Sequence, residues 1–335
     1  MTMFAQAIDT LLTEECSPAL VRAVDNGGSP QILAITLAEA GFYELMASEE
    51  SGGGAASWNE LFEVVLLCGA HAIPLPLAQT IAARTITSTP DQLPAGLLTF
   101  APSLARGLDG SVRAMHVPFA RTASHVIAAD ESRLLVLSLG DADRLPGGLH
   151  GSLTESLVWH AGAGKQLAAV ASDERFQALG ALLHAGLLAG AMKRVFDLTM
   201  TYANQRVQFG KSIGKFQAIQ HQLSVMAEHV AAARITAEAA FAAAEPLPPI
   251  TACAVAKART SEAAQLVAST AHALHGAIGV TEEYDLQLFT RRLHEWRIAH
   301  GSEAHWNRLL GRLFLGSKQL TSVEFVRSLF QAVQA

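Results

Sequence analysis

The spacing of hydrophobic positions along this chain changes twice. Over residues 1 to about 90 it is helical, with breaks. Ile32, Ile35, Leu37, Ala40, Phe42 and Leu45 line one face of a helix expected over residues 32–47. Ser51, Gly52, Gly53 and Gly54 read as a loop. A second helix is expected over 58–70. Pro74 and Pro76 stop it, because proline cannot donate a helical hydrogen bond, and another begins near Leu77. From about residue 96 to 171 short β-like runs take over, at 97–100, 112–117, 126–129 and 134–139. Residues 130–132 suit a hairpin turn and 146–148 a loop.

From Asp173, a candidate cap, helical spacing returns almost to the end of the chain. Helices are expected to about residue 204, over 215–244, 251–274 and 282–299, and after Ser302 as a cap. Pro246, Pro248 and Pro249 force the break after the second of these. The expected fold is mostly α with a small β domain. A helical domain spans 1–92, a small antiparallel β domain 93–172, and a C-terminal four- or five-helix bundle 173–335.

Composition narrows the function classes. Half the residues are hydrophobic, 16% are charged, and the formal net charge is −6. A nucleic-acid surface would be basic, so that class is excluded. Sparse charge on a helical half also suggests burial against other subunits. Cys16, Cys68 and Cys253 lie far apart without metal-ligand spacing. Neither a metal site nor a disulfide framework is expected, and the expected compartment is the reducing cytoplasm. The first residues lack the basic flank and apolar core of a secretion signal. The most apolar run, 178–192, is shorter than a membrane span and contains His184. Gly186 and Gly190, four apart, would let another helix approach closely, so a core helix is expected.

One segment interrupts the Ala/Leu-rich helices: Arg206-Val-Gln-Phe-Gly-Lys-Ser-Ile-Gly-Lys-Phe-Gln-Ala-Ile-Gln220. Arg206 offers a fork of fixed donors suited to phosphate. Phe209 offers a flat face to an aromatic ring. Gln208 and Gln217 supply donors and acceptors. Further on, Gly276 and Gly279 let backbone amides approach a ligand with no Cβ in the way. Taken singly, each residue has a plain structural explanation: a helix-end arginine, a core phenylalanine, a helix C-cap.

Taken together, the spacing resembles the acyl-CoA dehydrogenases. The Arg206 segment is similar to their R-x-x-F-G-x-x-I-x-x-F-Q-x-x-Q stretch. Residues 274–281, Leu-His-Gly-Ala-Ile-Gly-Val-Thr, resemble the family's Q-L-H-G-G-I-G-F-T turn. Residues 283–292 resemble its E-x-D-L-H-L-Y-x-R-R helix, and 117–126 its V-P-x-A-x-x-A segment. The resemblance spans roughly residues 30 to 315, but its specific motifs lie almost wholly in the C-terminal third. It implies a flavoprotein oxidoreductase that removes two hydrogens from an acyl-CoA thioester, with electron-transfer flavoprotein as electron acceptor. It also implies FAD contacts at Arg206, Gln208, Phe209, Gln217, His275, Gly276, Ala277, Gly279 and Ser302, across an oligomer interface.

The chain departs from the family where the catalytic base belongs. The resemblance implies a glutamate at the last helix junction, and residue 300 there is His; or one on the helix before the Arg segment, near Gly180. Glycine accepts no proton. His300, with a reference pKa of about 6.5, is a candidate base, and a spacer role is its competing reading. The residue that opens the family's glycine turn is Ala273 here, its second glycine is Ala277, and the β domain is short. The pattern resembles the small subunits of bacterial heteromeric acyl-CoA dehydrogenases of steroid and branched-acid catabolism. Three expectations stand: a subunit that lacks the usual base and works with a homologous partner, a flavin-free scaffold on the same fold, or a homo-oligomeric enzyme using His300.

Overall fold

The computed structural model describes residues 2–130, 133–145, 151–168, 172–242, 246–317 and 321–331. The expected turn at 131–132 and the loop at 146–148 lie outside the described residues. Five helices open the chain: α1 Met3–Glu15, α2 Pro18–Asp25, α3 Gln31–Glu39, α4 Trp58–Ala70 and α5 Leu77–Ala82. Thr2, Ser17 and Ser57 cap α1, α2 and α4 with side-chain oxygens, and Ser57 and Glu60 complete a reciprocal capping box. The helix expected over 32–47 is shorter than its pattern suggested. Gly41 takes a left-handed conformation, φ 78°, which ends α3, and a short 3-10 turn, Phe42–Glu44, follows.

The middle of the chain forms two four-stranded sheets rather than one unit. In chain order the strands are β1 Leu98–Phe100, β2 Ala105–Arg106, β3 Val112–Val117, β4 His125–Asp130, β5 Arg133–Ser138, β6 Asp143–Arg144, β7 Glu155–Trp159 and β8 Lys165–Ala168. Their spatial orders are β1-β4-β5-β8 and β2-β3-β7-β6. Pairing is antiparallel except between β1 and β4, which run parallel, Leu98 opposite His125. Alternation decides what each face covers. Val126 and Ala128 of β4 point into a core between the sheets with Val112, Leu157 and Trp159. Ile127, between them, faces the helices with Leu98, Phe100 and Leu134.

The rest is helical: α6 Asp173–Gln205, α7 Gln217–Phe241, α8 Ile250–His275, α9 Leu286–Ile298, α10 Glu303–Gly316 and α11 Ser322–Gln331. Ser172, not Asp173, caps α6, its hydroxyl accepting from the Arg175 amide. The ladder expected from 282 begins at Leu286, because 276–280 form a 3-10 turn and the chain turns again before α9. α6 is long and apolar enough to cross a membrane, yet 83% of its apolar window is buried inside the protein. Glycines allow its central position. A Cβ on Gly190 would lie 1.8 Å from the Leu66 carbonyl oxygen, and one on Gly69 2.1 Å from that of Leu187. α4 and α6 therefore meet backbone to backbone.

Ion pairs join the three regions. Asp25 at the end of α2 is buried and accepts from Arg291 (2.7 Å) and Arg292 (2.5 Å) of α9. Glu295 of α9 in turn accepts from the Ser152 hydroxyl (2.8 Å) and that of Thr154 in the β region.

Candidate functional site

Two of the sequence-singled segments converge at the C-terminal end of α6. After Gln205 the chain makes a small hairpin, β9 Val207–Gln208 against β10 Lys211–Ser212. Phe209 and Gly210 form its tip, at φ 52° and 79°. Positive φ at both central residues is the twist that a two-residue hairpin needs. Glycine adopts it freely, but for phenylalanine it is strained. The ring is nonetheless 90% exposed, so packing within the chain does not hold it there. Phe209 meets Phe216 edge-on, and the Lys211 ammonium lies 4.3 Å from the Phe216 ring centroid. Arg206, Gln208 and Gln217 are exposed as well. The Arg206 guanidinium has no hydrogen-bond or ion-pair partner among the described residues.

The turn after α8 lies against the same end of α6. The Tyr202 hydroxyl donates to the His275 carbonyl oxygen (3.3 Å), and the two rings stack at 4.4 Å. A small apolar cluster of Ala203, Leu223 and Leu274, with Met200, Ile213 and Ile219, seals the junction beneath. His275 is buried, its Nδ1 on the Ala271 carbonyl (2.8 Å), so its ring braces the turn rather than facing outward. Burial holds its pKa below the ordinary value. Gly276, at φ 65°, and Ala277 are exposed, and nothing stands within 4 Å of where a Gly276 Cβ would sit. Gly279 is different. A Cβ there would lie 3.0 Å from that of His275, so close packing explains this glycine. Sequence reasoning passed over Tyr202 and Tyr284, which flank the His275 ring.

The other predicted residues lie at the α9–α10 junction, where the two base positions meet. His300 is 1% exposed at φ 53°. Its imidazole sits directly on Gly180: a Cβ there would be 2.3 Å from His300 Nδ1. The His184 ring is 5.2 Å away, centroid to centroid, and its Nδ1 faces the Gly180 carbonyl oxygen at 2.8 Å. Neither ring nitrogen of His300 has a hydrogen-bond partner among the described residues. Burial first, then His184 and Lys257, push its pKa well below 6.5, against a smaller opposing effect of the Phe100 backbone. Burial and Lys257 pull His184 down to about 3. Both imidazoles are therefore neutral at physiological pH.

Polar contacts fix this junction from outside. Lys257 on α8, fully buried, donates to the carbonyls of Trp296 and Arg297 (both 2.7 Å) and to Ser261 Oγ (3.1 Å). It thus satisfies the open carbonyls that end α9, although burial still drives its pKa well down. Trp306 Nε1 donates to the His300 carbonyl (3.1 Å), and Glu303 pairs with Arg297. Ser302 begins α10 without a side-chain capping bond. No carboxylate faces the point between residues 180 and 300 among the described residues, since Glu303 is committed to Arg297. The i, i+4 spacing of Gly180 and His184 was readable in the sequence, but Lys257 as their neighbour was not.

Residues 174–313 match the acyl-CoA dehydrogenase C-terminal domain. The C-terminal helical region of the chain is thus an acyl-CoA dehydrogenase C-terminal domain. It is 29% identical to acyl-CoA dehydrogenase IpdE2 of Mycolicibacterium smegmatis over 298 residues, 87% of this chain and 91% of that protein. It is also 29% identical to IpdE2 of Mycobacterium tuberculosis, over 87% of this chain and 90% of that protein. Its fold is similar to that of a chain in the ChsE4-ChsE5 complex from Mycobacterium tuberculosis. There the TM-score is 0.81 at 21% identity, covering 96% of this chain and 99% of that one. A chain of the Tcur3481-Tcur3483 steroid ACAD G363A variant gives the same TM-score at 23% identity, covering 93% and 97%. Members of this family generally bind FAD. The donor set at the end of α6 fits such a group: an unpaired guanidinium for a phosphate, an exposed aromatic face, two glutamines and an open glycine turn. All of it lies on the surface.

Proposed function

We propose that this chain is a subunit of a heteromeric, FAD-dependent acyl-CoA dehydrogenase that acts on a bulky, steroid-derived acyl-CoA. It lends one wall of the flavin site to a homologous partner that carries the base. The observation that carries this reading is the Arg206 hairpin, a strained, exposed aromatic tip beside an unpaired arginine. Its bare surface makes sense once a second chain covers it. FAD, when bound, supplies the hydride acceptor. Arg206 would hold a pyrophosphate oxygen through two N–H donors, Phe209 would lie along an aromatic ring, and Gln208 and Gln217 would bond the linking hydroxyls. The exposed amides of the Gly276–Ala277 turn would complete the wall. Val207, Ile278 and Val280, exposed around it, would be covered by the partner.

The base has to come from elsewhere. Proton removal α to the thioester needs an acceptor at the substrate carbon, and this chain offers a glycine and a neutral, buried imidazole there. The Tcur3481-Tcur3483 steroid ACAD supports the steroid assignment, and it and the ChsE4-ChsE5 complex support the paired assembly. Purification from the native host tests the reading. A homologous second chain and a flavin absorption spectrum are expected together. A colourless chain with no partner would instead favour the flavin-free scaffold.

A further inference from the structure

Residues 180 and 300, the two positions where the resemblance places a base, meet in the core. A substrate carbon that is to lose a proton must occupy space next to the base. In this chain that space is filled by protein. The His300 ring takes up the volume a side chain at residue 180 would need, with Cε1 and Cγ 2.4 and 2.7 Å from the ideal Cβ position. His184 closes one side. Phe119 stands 6.3 Å from His184 and 6.1 Å from Trp296, centroid to centroid. All these residues are buried. Lys257, Ser261 and Trp306 hold the backbone at residues 296, 297 and 300 beneath this ring.

The backbone at residue 300 is itself unusual. A non-glycine residue at φ 53° is strained, and such strain persists only where the surroundings fix it. Both ring nitrogens are fully buried without a well-formed hydrogen bond among the described residues, which costs free energy that a hydrocarbon side chain would avoid. A residue kept merely to fill a core would be better served by leucine. These features mark a shaped contact between one imidazole and one glycine.

We propose that His300 seated on Gly180 is a steric plug that closes this chain's own acyl position, leaving the partner's as the one that receives substrate. This rests on the shared-site reading in one respect, that the family's base would meet substrate at this point. Glycine at 180 and histidine at 300 are then a matched pair. Neither can change alone without a clash or a hole.

The test uses the full-length chain, without flavin or partner. His300→Gly suits the positive φ and leaves an imidazole-sized hole. Free imidazole is the probe, read by the thermal unfolding midpoint. A saturable rise is expected for His300→Gly and none for the wild type, since only a state with an open site gains stability from the ligand. Gly180→Ala is the second variant. It should lower the midpoint, and adding His300→Gly should recover most of the loss. Octanoyl-CoA is the third probe, and the wild-type chain should not bind it. The proposal is overturned if imidazole leaves His300→Gly unchanged, if Gly180→Ala is neutral, or if the wild-type chain binds octanoyl-CoA saturably. Because none of these readouts involves turnover, the plug and the shared-flavin reading can fail independently.

Discussion

Acidification should destabilise this chain through its buried histidines, by an amount that the positions of His184 and His300 set. Both are fully buried, with an ordinary pKa of 6.5 that folding depresses, to about 3 for His184 and in the same direction for His300. The unfolded chain therefore takes up these protons first as pH falls. The stability held by the neutral rings is complete above pH 6.5 and is lost progressively below it, towards the folded values. For His184, whose folded value is about 3, each pH unit below 6.5 costs about 1.4 kcal/mol. His300 adds a cost of the same sign. Against a typical stability of about 5–15 kcal/mol such a loss is measurable.

His125, His272, His275, His294 and His305 are also held below their ordinary values, mainly by burial, and add slope of the same sign. The wild-type slope alone therefore does not isolate the pair, but comparison with His300→Gly does. The variant should lose less stability than the wild type between about pH 7.5 and 5.5. Urea unfolding followed by circular dichroism, at fixed protein concentration, measures both slopes. Staying above about pH 5 avoids the carboxylates of Glu63 and Glu303, which are held below their ordinary range. Equal slopes in wild type and variant, or stability that rises on acidification, would refute the assignment of neutral, buried rings.

Three further outcomes follow from the contacts. Asp25→Ala should cost roughly 3–5 kcal/mol in urea unfolding, because Arg292 would be left charged, buried and without its main partner; a loss under about 1 kcal/mol would contradict the clamp. Lys257→Met should cost about 1–3 kcal/mol by stranding the Trp296 carbonyl and leaving that of Arg297 to Ser261 alone. It should also speed amide hydrogen exchange at residues 299–302, and unchanged exchange there would show that Lys257 does not hold the junction. In the assembled protein, Arg206→Ala should weaken flavin retention about tenfold or more, since a charge-assisted contact to phosphate is worth roughly 1.5–3 kcal/mol. Equal flavin content after dialysis would remove Arg206 from the site.

Much of the fold was legible because the helices carry their own local signals. Trp58–Ala70 begins at a Ser–Glu capping box, and Ile250–His275 begins after Pro249 and ends at a glycine. Local signals failed where long-range pairing decides. The parallel partnership of β1 and β4 and the split into two sheets depend on contacts across a crossover, which three-residue apolar runs do not encode. At the candidate site the motif spacing singled out Arg206 and Gly276, which the structure brings to the same end of α6. It gave no sign that Phe209 would be strained and exposed, or that His275 would turn inward onto Tyr202. Nor could it show that residues 180 and 300, so far apart in the chain, touch. Only the docking of α9 on α6 and of α10 on α8 reveals that.

The central claim is that this chain lends a flavin wall but no base. Dehydrogenation of an acyl-CoA by an artificial electron acceptor, with FAD supplied, tests it most directly on the chain alone and on the chain co-purified with its partner. A general base typically contributes about 10²–10⁴-fold. The chain alone should show at most residual turnover, and the pair should be active by a factor of that order. Robust turnover by the chain alone that His300→Ala abolishes would contradict the account and make His300 the base.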